Sequence, residues 1–436
     1  MKLSIYNSII KVNDSVSILY NAYSDKFLIL TNNTVDLIRS QSLRWIKENR
    51  SLIFEDLLKA KAIVSKDSDE KTLIADSIKS KIIDNERFHL HINPTVDCIF
   101  KCWYCYEEHI QGTKMKDDIK NAICRLVDSI FSTNASLKYF DLSFFGGEPL
   151  MYFSHIAKSI IDYIDEKCNL HNVKLRIHFT SNGYLLKPSI VNYLKDKECS
   201  FQITLDGYKS NHDKVRFLKS GTGSYDVIVK NIKLLAEHNI KVILRINYTA
   251  DNSGELARIS NDFSNVSECY RQYIKLDIQR VWQDASNKTG QEETDENVNA
   301  MIKSFRNLGY NVSYYRINNN AAYPCYGDFR NHILVNYNGD IYNCTARDFT
   351  KENRSGKLQT DGTIEWDIDV VERFSKKFSV KGCQTCRIAP ICGGGCIQRI
   401  TEVGNNAECT YNYSESDKDK KILDRFEFMF LNDIQP

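Results

Sequence analysis

The sequence of 436 residues lacks the features that would place it in a membrane, outside the cell or on nucleic acid. No run approaches the roughly twenty apolar residues of a membrane-spanning helix, and no N-terminal apolar stretch is typical of a signal peptide. The formal net charge is only +2, so there is no electrostatic argument for binding nucleic acid or an anionic membrane. Low-complexity tracts are also absent. The length predicts a soluble protein of two or three domains.

Cysteine, by contrast, is frequent, with 14 residues. Cys98, Cys102 and Cys105 follow a predicted strand at 88–93, and thiolates are the ligands that iron–sulfur clusters require. A cubane cluster normally takes four, so three would leave one iron with an open position that can bind and activate a substrate. The alternative is a zinc site, since closely spaced cysteines often hold zinc. For zinc, the nearest other donors are His109, Glu107 and Glu108.

The spacing Cys-x-x-x-Cys-x-x-Cys, with Tyr104 before the last cysteine, resembles the signature of the radical S-adenosylmethionine (SAM) enzymes. Three further stretches match that family in order and distance: Gly146-Gly147-Glu148-Pro149, Ser181-Asn182-Gly183, and Thr204-Leu205-Asp206-Gly207 followed by His212-Asp213-x-x-Arg216. The resemblance implies that the open iron chelates SAM and that the Gly-Gly-Glu-Pro loop binds its methionyl amino group. It also implies a ribose contact from Thr204 and a carboxylate contact from Arg216. The cofactor-binding residues so implied are Tyr104, Gly146, Gly147, Glu148, Ser181, Asn182, Thr204, Asp206 and Arg216.

The C-terminal cysteines resemble a second pattern, the SPASM extension of peptide maturases, which carries two auxiliary 4Fe–4S clusters. The resemblance implies that the first auxiliary cluster is held by Cys325, Cys344 and Cys396. It implies that the second is held by Cys383, Cys386, Cys392 and Cys409. A zinc ribbon is the alternative, because Cys-x-x-Cys recurs there.

The first auxiliary cluster lacks one thiol. Fully ligated members of the family carry an eighth cysteine a few residues before the position of Cys325, and the stretch 317–324 contains none. We therefore expect an open iron, or an oxygen or amide ligand, at this cluster. An open iron could bind a substrate thiolate, although a water or a remote side chain would fill it equally well. Of the four other cysteines, Cys124 and Cys199 are expected to be small buried hydrophobes.

Apolar β-rich runs alternate with helical patterns through the middle of the chain, which indicates an α/β fold with a parallel sheet. The predicted strands are 88–93, 139–145, 174–180, 200–204, 241–247 and 273–281. The predicted helices include 117–131, 153–168, 189–197, 225–238 and, after a polar loop at 286–297, 298–308. Six units suggest the partial (β/α)6 TIM barrel of the radical SAM family, with the cofactor motifs at the carboxyl ends of strands. A β-hairpin is expected around the turn 338–340.

Residues 1–84 predict a winged-helix-like module, with a hairpin at 17–20 and 27–30 and helices at 34–39, 43–49 and 53–61. In peptide maturases such a module resembles the RiPP recognition element, which pairs the leader of a ribosomally synthesised precursor peptide against an exposed strand. A structural cap and a DNA-binding winged helix are the alternatives, and the near-neutral charge argues against DNA. The expected domains are 1–84, a barrel at 85–310, a SPASM domain at 311–415 and a closing helix at 416–436, with Ser416 as its N-cap.

The resemblance implies that an electron delivered to the cluster cleaves SAM to a 5′-deoxyadenosyl radical, which takes a hydrogen from a peptide. A thioether or carbon–carbon crosslink in a ribosomal precursor peptide is the first choice. The alternative is an anaerobic sulfatase-maturating enzyme forming formylglycine. Those enzymes typically carry Asp after the cysteine matching Cys344, where this chain has Thr345, so the nearest downstream carboxylate, Asp348, is the candidate base. A peptide-binding carrier is a third reading, and the intact cofactor motifs argue against it.

The expected cofactors are therefore SAM and three 4Fe–4S clusters, one binding SAM and two auxiliary. The expected partners are a precursor peptide, with its leader on the N-terminal module, and a flavodoxin- or ferredoxin-type electron donor. No nucleic acid and no membrane are expected as partners. Oxygen-labile clusters imply a cytoplasmic location.

Overall fold

The structure, a computed structural model, describes residues 1–284, 290–314 and 324–430. Its strands are β1 (Lys2–Leu3), β2 (Asn7–Lys11), β3 (Val16–Asn21), β4 (Lys26–Thr31), β5 (Ile63–Val64), β6 (Arg87–Ile92), β7 (Tyr139–Phe144), β8 (Lys174–Ser181), β9 (Cys199–Asp206), β10 (Lys241–Tyr248), β11 (Ile274–Arg280), β12 (Asn311–Tyr314), β13 (His332–Val335), β14 (Asp340–Tyr342), β15 (Gly356–Leu358) and β16 (Ile364–Trp366). Its helices are α1 (Asn32–Ser40), α2 (Leu43–Asn49), α3 (Ser51–Lys59), α4 (Glu70–Ser80), α5 (Asp117–Thr133), α6 (Lys158–His171), α7 (Pro188–Leu194), α8 (Lys209–Val215), α9 (Tyr225–Glu237), α10 (Ile259–Phe263), α11 (Glu268–Arg271), α12 (Gln291–Asn307), α13 (Val370–Ser375), α14 (Ala389–Cys392), α15 (Ile397–Val403) and α16 (Glu415–Phe430).

The chain divides into two compact units. The terminal unit comprises Met1–Asp84, Arg316–Arg330 and Asp369–Pro436, and the sheet unit comprises Asn85–Tyr315 and Asn331–Ile368. Of the predicted domain at 311–415, residues 331–368 belong to the sheet unit and 369–415 to the terminal unit, and the domain bounds stay a prediction. Among the described helices, none combines the length and apolar character needed to cross a bilayer.

The sheet unit is built on an 11-stranded sheet with the order β12-β11-β10-β9-β8-β7-β6-β13-β14-β15-β16. Strands β6 to β12 run parallel in chain order, which bears out the α/β prediction. The six predicted strands correspond to β6–β11, and β12 adds a further parallel strand at the edge. The predicted hairpin is present as β13 and β14, but β13 also pairs in parallel with β6, which was not expected. Closure of this sheet into a partial barrel remains a prediction.

Each central strand has one apolar and one polar face. On β9, Phe201, Ile203 and Leu205 are fully buried, whereas the alternating residues Gln202 and Thr204 are partly exposed. The apolar faces pack with the helices that connect the strands in one continuous core. Because side chains alternate along a strand and the pairing is in register, the polar faces of neighbouring strands line up on the opposite side of the sheet. In the sheet unit, polar side chains therefore line that face and the carboxyl ends of the strands.

The terminal unit begins with an antiparallel meander of β2, β3 and β4, followed directly by α1, α2 and α3. The predicted hairpin is the pair β3–β4, and α2 has the predicted bounds. The hydroxyls of Thr31 and Ser42 cap α1 and α2, each accepting a hydrogen bond from a backbone N–H three residues later. Leu19, Ile46 and Leu57 form the centre of the core between the sheet and these helices. The winged-helix comparison stays a prediction.

A second core in the terminal unit joins the meander to the cysteine-rich segment. It includes Tyr6 and Tyr20 from the N-terminal part and Phe378, Ile400 and Ile422 from the C-terminal part, all buried. The first and last segments of the chain therefore fold as one body.

Two local predictions differ from the structure. The segment predicted as a loop at 286–297 is helical from Gln291, where α12 begins, and 285–289 lies outside the described residues. The closing helix α16 is capped by Ser414 and not by Ser416. Ser414 Oγ accepts from the Asp417 N–H at 3.1 Å, and Asp417 Oδ2 accepts from the Ser414 N–H at 2.9 Å. This reciprocal pair is a capping box, and it needs the acidic side chain three residues after the cap.

Candidate cofactor site at the carboxyl ends of the parallel strands

The predicted cluster cysteines lie on the loop that follows β6. Cys98 and Cys102 are partly buried, whereas Cys105 is exposed. The base of the loop is fixed by Thr95, whose hydroxyl donates to the Thr113 carbonyl at 2.7 Å and accepts from the Asp97 N–H at 2.9 Å. The local fold therefore presents the three thiols from an anchored turn.

Burial controls the chemistry of these thiols. It raises the pKa of Cys98 to about 12, with a further contribution from nearby Glu148, and it also raises the pKa of Cys102 and Cys105. A thiolate at this position therefore needs a compensating positive charge, which iron ligation supplies. Among the residues that the structure describes, no three His, Cys, Asp or Glu side chains converge as a ready metal site, so the ligand set stays a prediction.

The Gly-Gly-Glu loop after β7 packs backbone to backbone on the cluster loop. Gly146 has a φ of +85°, and a Cβ on Gly147 would lie 2.0 Å from the Asp97 carbonyl oxygen. The Glu148 N–H donates to the same oxygen at 2.9 Å. Only glycine permits both this turn and this approach. The two loops therefore hold each other in place.

Glu148 is a fully buried carboxylate at this junction. Its Oε1 accepts from the Leu150 N–H at 2.9 Å and the Ser181 hydroxyl at 2.8 Å, and its Oε2 accepts from the Asn182 N–H at 2.8 Å. Burial raises the pKa of Glu148 to about 7, although these hydrogen bonds oppose the shift. A carboxylate has further acceptor capacity, and an ammonium group beside it would offset the cost of burial. The predicted residues Glu148, Ser181 and Asn182 thus form one site.

A second buried group ties the cluster loop to β9. The Tyr104 hydroxyl donates to the Asp206 carboxylate, at 2.6 and 2.7 Å from its two oxygens, and accepts from Arg216 Nη2 at 2.7 Å. Arg216 Nε lies 2.5 Å from Asp206 Oδ2 in a buried ion pair. Asn247 Nδ2, at the end of β10, donates to the same hydroxyl at 3.2 Å. The structure therefore brings together three predicted residues and one that was missed.

Arg216 is only partly engaged by this network. Its Nη1 makes no hydrogen bond among the described residues, so this nitrogen can still donate to a ligand carboxylate as predicted. His212 supports the arrangement from behind. Its Nδ1 accepts from the Asp206 N–H at 3.1 Å, and its Nε2 lies 3.0 Å from the Ser224 hydroxyl.

Thr204 lies on the polar face of β9, paired in register with Arg245 of β10. Asp206 lies two residues further along β9 on the same face. Thr204 therefore faces the same side of the sheet as the network around Tyr104. The ribose contact of Thr204 stays a prediction.

Asp348, the candidate base, is an exposed residue close to the cluster loop. Its charge contributes to raising the pKa of Cys105, and also that of Glu107, which burial raises to about 7 while His109 lowers it. Glu107 was missed as a site residue, although it stands directly after the cysteine motif. Position next to a motif is too weak a signal to assign a role.

Besides Asn247, a second residue beside Tyr104 was missed, Gln283. Gln283 Nε2 donates to the Tyr104 carbonyl at 2.9 Å, and Asn247 contacts its hydroxyl. Both follow or end a parallel strand, where sites of this fold class are built, and that rule could have found Asn247.

The cysteines predicted for the second auxiliary cluster line one cavity in the terminal unit. Cys383, Cys386, Cys392 and Cys409 surround it together with backbone at Gly394. A Cβ on Gly382 would lie 1.8 Å from the Glu408 carbonyl oxygen. The backbone segment before Cys383 therefore packs directly on the segment before Cys409. Burial raises the pKa of Cys392 to about 11. Four thiolates are the ligands that a 4Fe–4S cluster takes, but among the described residues these side chains do not converge as a ready metal site, so this ligand set also stays a prediction.

The cysteines predicted for the first auxiliary cluster are divided between the units. Cys325 and Cys396 belong to the terminal unit and Cys344 to the sheet unit. The stretch 317–323, where an eighth cysteine would stand, lies outside the described residues. This ligand set therefore stays a prediction.

Comparison with known proteins identifies the domain that carries the loop and the carboxylate site. Residues 92–255 match the family model of the Radical SAM superfamily. The chain contains a radical SAM domain. It is therefore an enzyme of the radical SAM superfamily, whose members use SAM and a 4Fe–4S cluster. The matched residues include the three cysteines, Glu148, Asp206 and Arg216, which the structure gathers at one end of the parallel strands.

The radical SAM enzyme has relatives and structural neighbours that extend beyond this domain. A "Cysteine-type anaerobic sulfatase-maturating enzyme" of Clostridium novyi (strain NT) is 22% identical, over 69% of this chain and 85% of that protein. The structure of "Native anSMEcpe with bound AdoMet and Cp18Cys peptide" aligns with a TM-score of 0.59 at 17% identity, over 80% of this chain and all of that one. "Streptococcus suis SuiB" aligns with a TM-score of 0.51 at 16% identity, over 96% of this chain and 99% of that one. At this identity the two structures share a fold with the chain.

Proposed function

We propose that this enzyme is a peptide maturase that installs a thioether or carbon–carbon crosslink in a ribosomally synthesised precursor peptide. The observation that carries the proposal is the three-stranded meander with three helices that precedes the radical SAM domain. SuiB, whose fold aligns with nearly the whole chain, has also been crystallised bound to precursor peptide SuiA. The anSMEcpe structure aligns with a smaller share of the chain.

The residues of the cofactor site fit the groups that the family uses. Cys98, Cys102 and Cys105 would hold the 4Fe–4S cluster, whose iron would offset the cost of a thiolate at positions where the thiol pKa is raised. When bound, the cluster and SAM together supply a 5′-deoxyadenosyl radical that can take a hydrogen atom from a peptide.

The chain itself binds and orients SAM. Glu148 offers a buried carboxylate to the methionyl ammonium, and Arg216 offers Nη1 to its carboxylate, so both ends of the amino acid are held by opposite charges. Tyr104 is fixed by Asp206 and Asn247 and keeps the cluster loop against the ends of β9 and β10. Burial of Glu148 and Asp206 excludes water from the site.

The leader of the precursor would add a strand to β4. In the described part of the sheet, β4 lies at an edge, so its outer backbone N–H and C=O groups face no strand. Ile29 in the middle of β4 is 66% exposed. An edge strand with an exposed aliphatic side chain provides main-chain hydrogen bonds for affinity and a side-chain contact for specificity. A flavodoxin- or ferredoxin-type protein would supply the electron.

The auxiliary clusters would accept the second electron of the oxidation and bind the substrate. The cavity lined by Cys383, Cys386, Cys392 and Cys409 supports a fully ligated second cluster. The first cluster, short of one cysteine, would leave an iron for a substrate thiolate. Thr345 stands after Cys344, where the sulfatase-maturating enzymes typically have Asp, and this favours crosslinking over formylglycine formation.

Formylglycine formation is the second candidate, because the relative from Clostridium novyi covers most of the chain. In that case Asp348, close to Cys105 and Glu107, would act as the base.

The mass of the peptide product separates the two functions. The reconstituted, reduced enzyme is incubated with SAM and, separately, with the Cp18Cys peptide and with each short peptide encoded beside its gene. A crosslink removes two hydrogens and keeps every sulfur, whereas formylglycine formation at a cysteine removes two hydrogens and also replaces the sulfur with oxygen. We expect the first change on an adjacent peptide, and none when its N-terminal half is absent. The second change on Cp18Cys alone would contradict the proposal.

A further inference from the structure

A buried ion pair in the terminal unit connects two segments that carry predicted cluster cysteines. Lys377 is 3% exposed and Asp328 is 2% exposed, and Lys377 Nζ lies 2.8 Å from Asp328 Oδ2. Asp328 stands three residues after Cys325, and its N–H donates to the Cys325 carbonyl at 2.9 Å. The desolvation cost of two buried charges is offset only where additional hydrogen bonds satisfy their remaining donors and acceptors.

The further hydrogen bonds of the pair go to the backbone on both sides of Cys396. Lys377 Nζ donates to the Gly395 carbonyl at 2.6 Å, and the Ile397 N–H donates to Asp328 Oδ1 at 2.7 Å. The residues before and after Cys396 are therefore both bound to one ion pair. Each Asp328 oxygen accepts a hydrogen bond, one from Lys377 and one from Ile397, so the carboxylate links these segments.

This anchoring acts on a segment of three consecutive glycines that leads into Cys396. Gly393, Gly394 and Gly395 all have positive φ values, between +66° and +84°. Consecutive glycines lose more conformational freedom on ordering than any other residues. The Thr410 hydroxyl also donates to the Gly394 carbonyl at 3.0 Å, and the ion pair adds the link between this segment and the one that carries Cys325.

We propose that Asp328 and Lys377 are positioning residues for the first auxiliary cluster, which fix Cys325 and Cys396 before iron binds. The inference rests on the proposed function, which supplies that cluster. A cluster with only three protein thiolates loses a larger share of its ligation when one is misplaced than a cluster with four. The four cysteines predicted for the second cluster line one cavity, and the hydrogen bonds of the ion pair described above reach none of them.

The test compares two neutralised ion pairs of the terminal unit. The double variant Asp328→Asn/Lys377→Met leaves no buried charge unpaired, so we expect the fold to be retained, and thermal melting checks this. The control Asp25→Asn/Arg425→Met removes another pair, in which Arg425 Nε lies 2.6 Å from Asp25 Oδ1. Iron and acid-labile sulfide are measured after anaerobic reconstitution, with electron paramagnetic resonance of the reduced protein without SAM. Wild type and control are expected to hold about twelve irons per chain. The Asp328/Lys377 variant is expected to hold about eight irons per chain and to lose the resonance signal of one cluster.

An unchanged iron content and an unchanged resonance spectrum in the variant would overturn the inference. About eight irons in the wild type would overturn both the inference and the proposed auxiliary clusters, so the two failures are distinguishable. Where thermal melting shows the double variant unfolded, Asp328→Asn/Lys377→Gln takes its place, since it keeps a donor for the Gly395 carbonyl and leaves no buried charge unpaired. This replacement variant is then expected to lose iron to a chelator at a higher rate than wild type does. Equal rates of iron release would overturn the proposal.

Discussion

Glu148 illustrates how one buried side chain organises the cofactor site. Its carboxylate accepts three hydrogen bonds, from Leu150, Ser181 and Asn182, yet burial still leaves its pKa at about 7. Glu148, Ser181 and Asn182 were all predicted from the sequence, because Gly-Gly-Glu and Ser-Asn-Gly are short local signatures. Their meeting at one carboxylate follows from the pairing of β7 with β8.

Glu148→Gln is expected to weaken SAM binding by about tenfold to a hundredfold, since a hydrogen bond to a charged group contributes about 1.5–3 kcal/mol. The amide keeps the shape of the side chain and removes the charge that faces the ammonium. Equilibrium dialysis of SAM against the reconstituted enzyme measures the change. Glu108→Gln, at an exposed position on the cluster loop, is the matched control and should bind SAM as wild type does. Equal affinities for all three proteins would contradict the role of Glu148.

The same residue predicts how stability depends on pH in the cofactor-free protein. Its folded pKa of about 7 lies above the ordinary value of 4.5, so its stabilising contribution is complete below pH 4.5 and is lost as the pH rises through 7. A shift of this size corresponds to on the order of 3 kcal/mol. Urea unfolding at about pH 5 and about pH 8 should therefore show a larger loss of stability for wild type than for Glu148→Gln. Parallel pH profiles of the two proteins would show that Glu148 is ionised without penalty.

At the scale of elements, the close contact between two loops decides the geometry of the site. A Cβ on Gly147 would lie 2.0 Å from the Asp97 carbonyl oxygen, and backbone cannot yield at that distance without moving the cluster loop. A displacement of about 1 Å can cost on the order of a hundredfold in catalysis. Gly147→Ala should reduce SAM cleavage by about that factor, as measured by 5′-deoxyadenosine release. Gly254→Ala, where no heavy atom lies within 4 Å of the added Cβ, should retain wild-type cleavage. Full activity of the Gly147 variant would show that the two loops are not interdependent.

The edge strand β4 carries the prediction about the peptide. Ile29→Asp should weaken leader binding about tenfold, because burying an exposed aliphatic side chain contributes on the order of 1.5–3 kcal/mol. Leu52→Asp on α3 is the control, since Leu52 is 75% exposed but lies on a helix. Fluorescence anisotropy of a labelled leader peptide measures both, with circular dichroism to verify the fold. Equal affinity of the two variants would remove β4 as the binding strand.

The elements also show where sequence reasoning succeeds and where it fails. Strands β6–β11 were predictable because their apolar runs are local and bounded by turns. The pairing of β13 with β6 was not, since four consecutive buried residues, His332–Val335, indicate a strand but not its partner. The start of α12 was missed because its first turns are polar, and the apolar residues that anchor it, Val298, Met301 and Phe305, come later.

Long-range contacts at the site were likewise beyond the sequence. Tyr104 and Arg216 are 112 residues apart, and each was predicted to serve the cofactor separately. Their shared bonding to Asp206 arises from the end of β9, and local patterns contain no information about it.

At the scale of the whole molecule, the chain combines a parallel-sheet unit that carries the radical SAM site with a unit in which the N-terminal meander and the cysteine-rich segment share a core. This second arrangement was not predicted, because it joins residues from the two ends of the chain. It means that the proposed leader-binding strand and the proposed second auxiliary cluster belong to one folded body. Changes that unfold the meander are therefore expected to affect the cluster cavity.

The central claim is that Cys98, Cys102 and Cys105 support reductive cleavage of SAM. The most direct measurement is 5′-deoxyadenosine release by the reconstituted enzyme after reduction, compared with Cys98→Ala and with Cys124→Ala, a cysteine outside every predicted ligand set. Wild type and Cys124→Ala should release 5′-deoxyadenosine at similar rates, and Cys98→Ala should release none. Release by Cys98→Ala at the wild-type rate, or its absence from the wild type, would contradict the account.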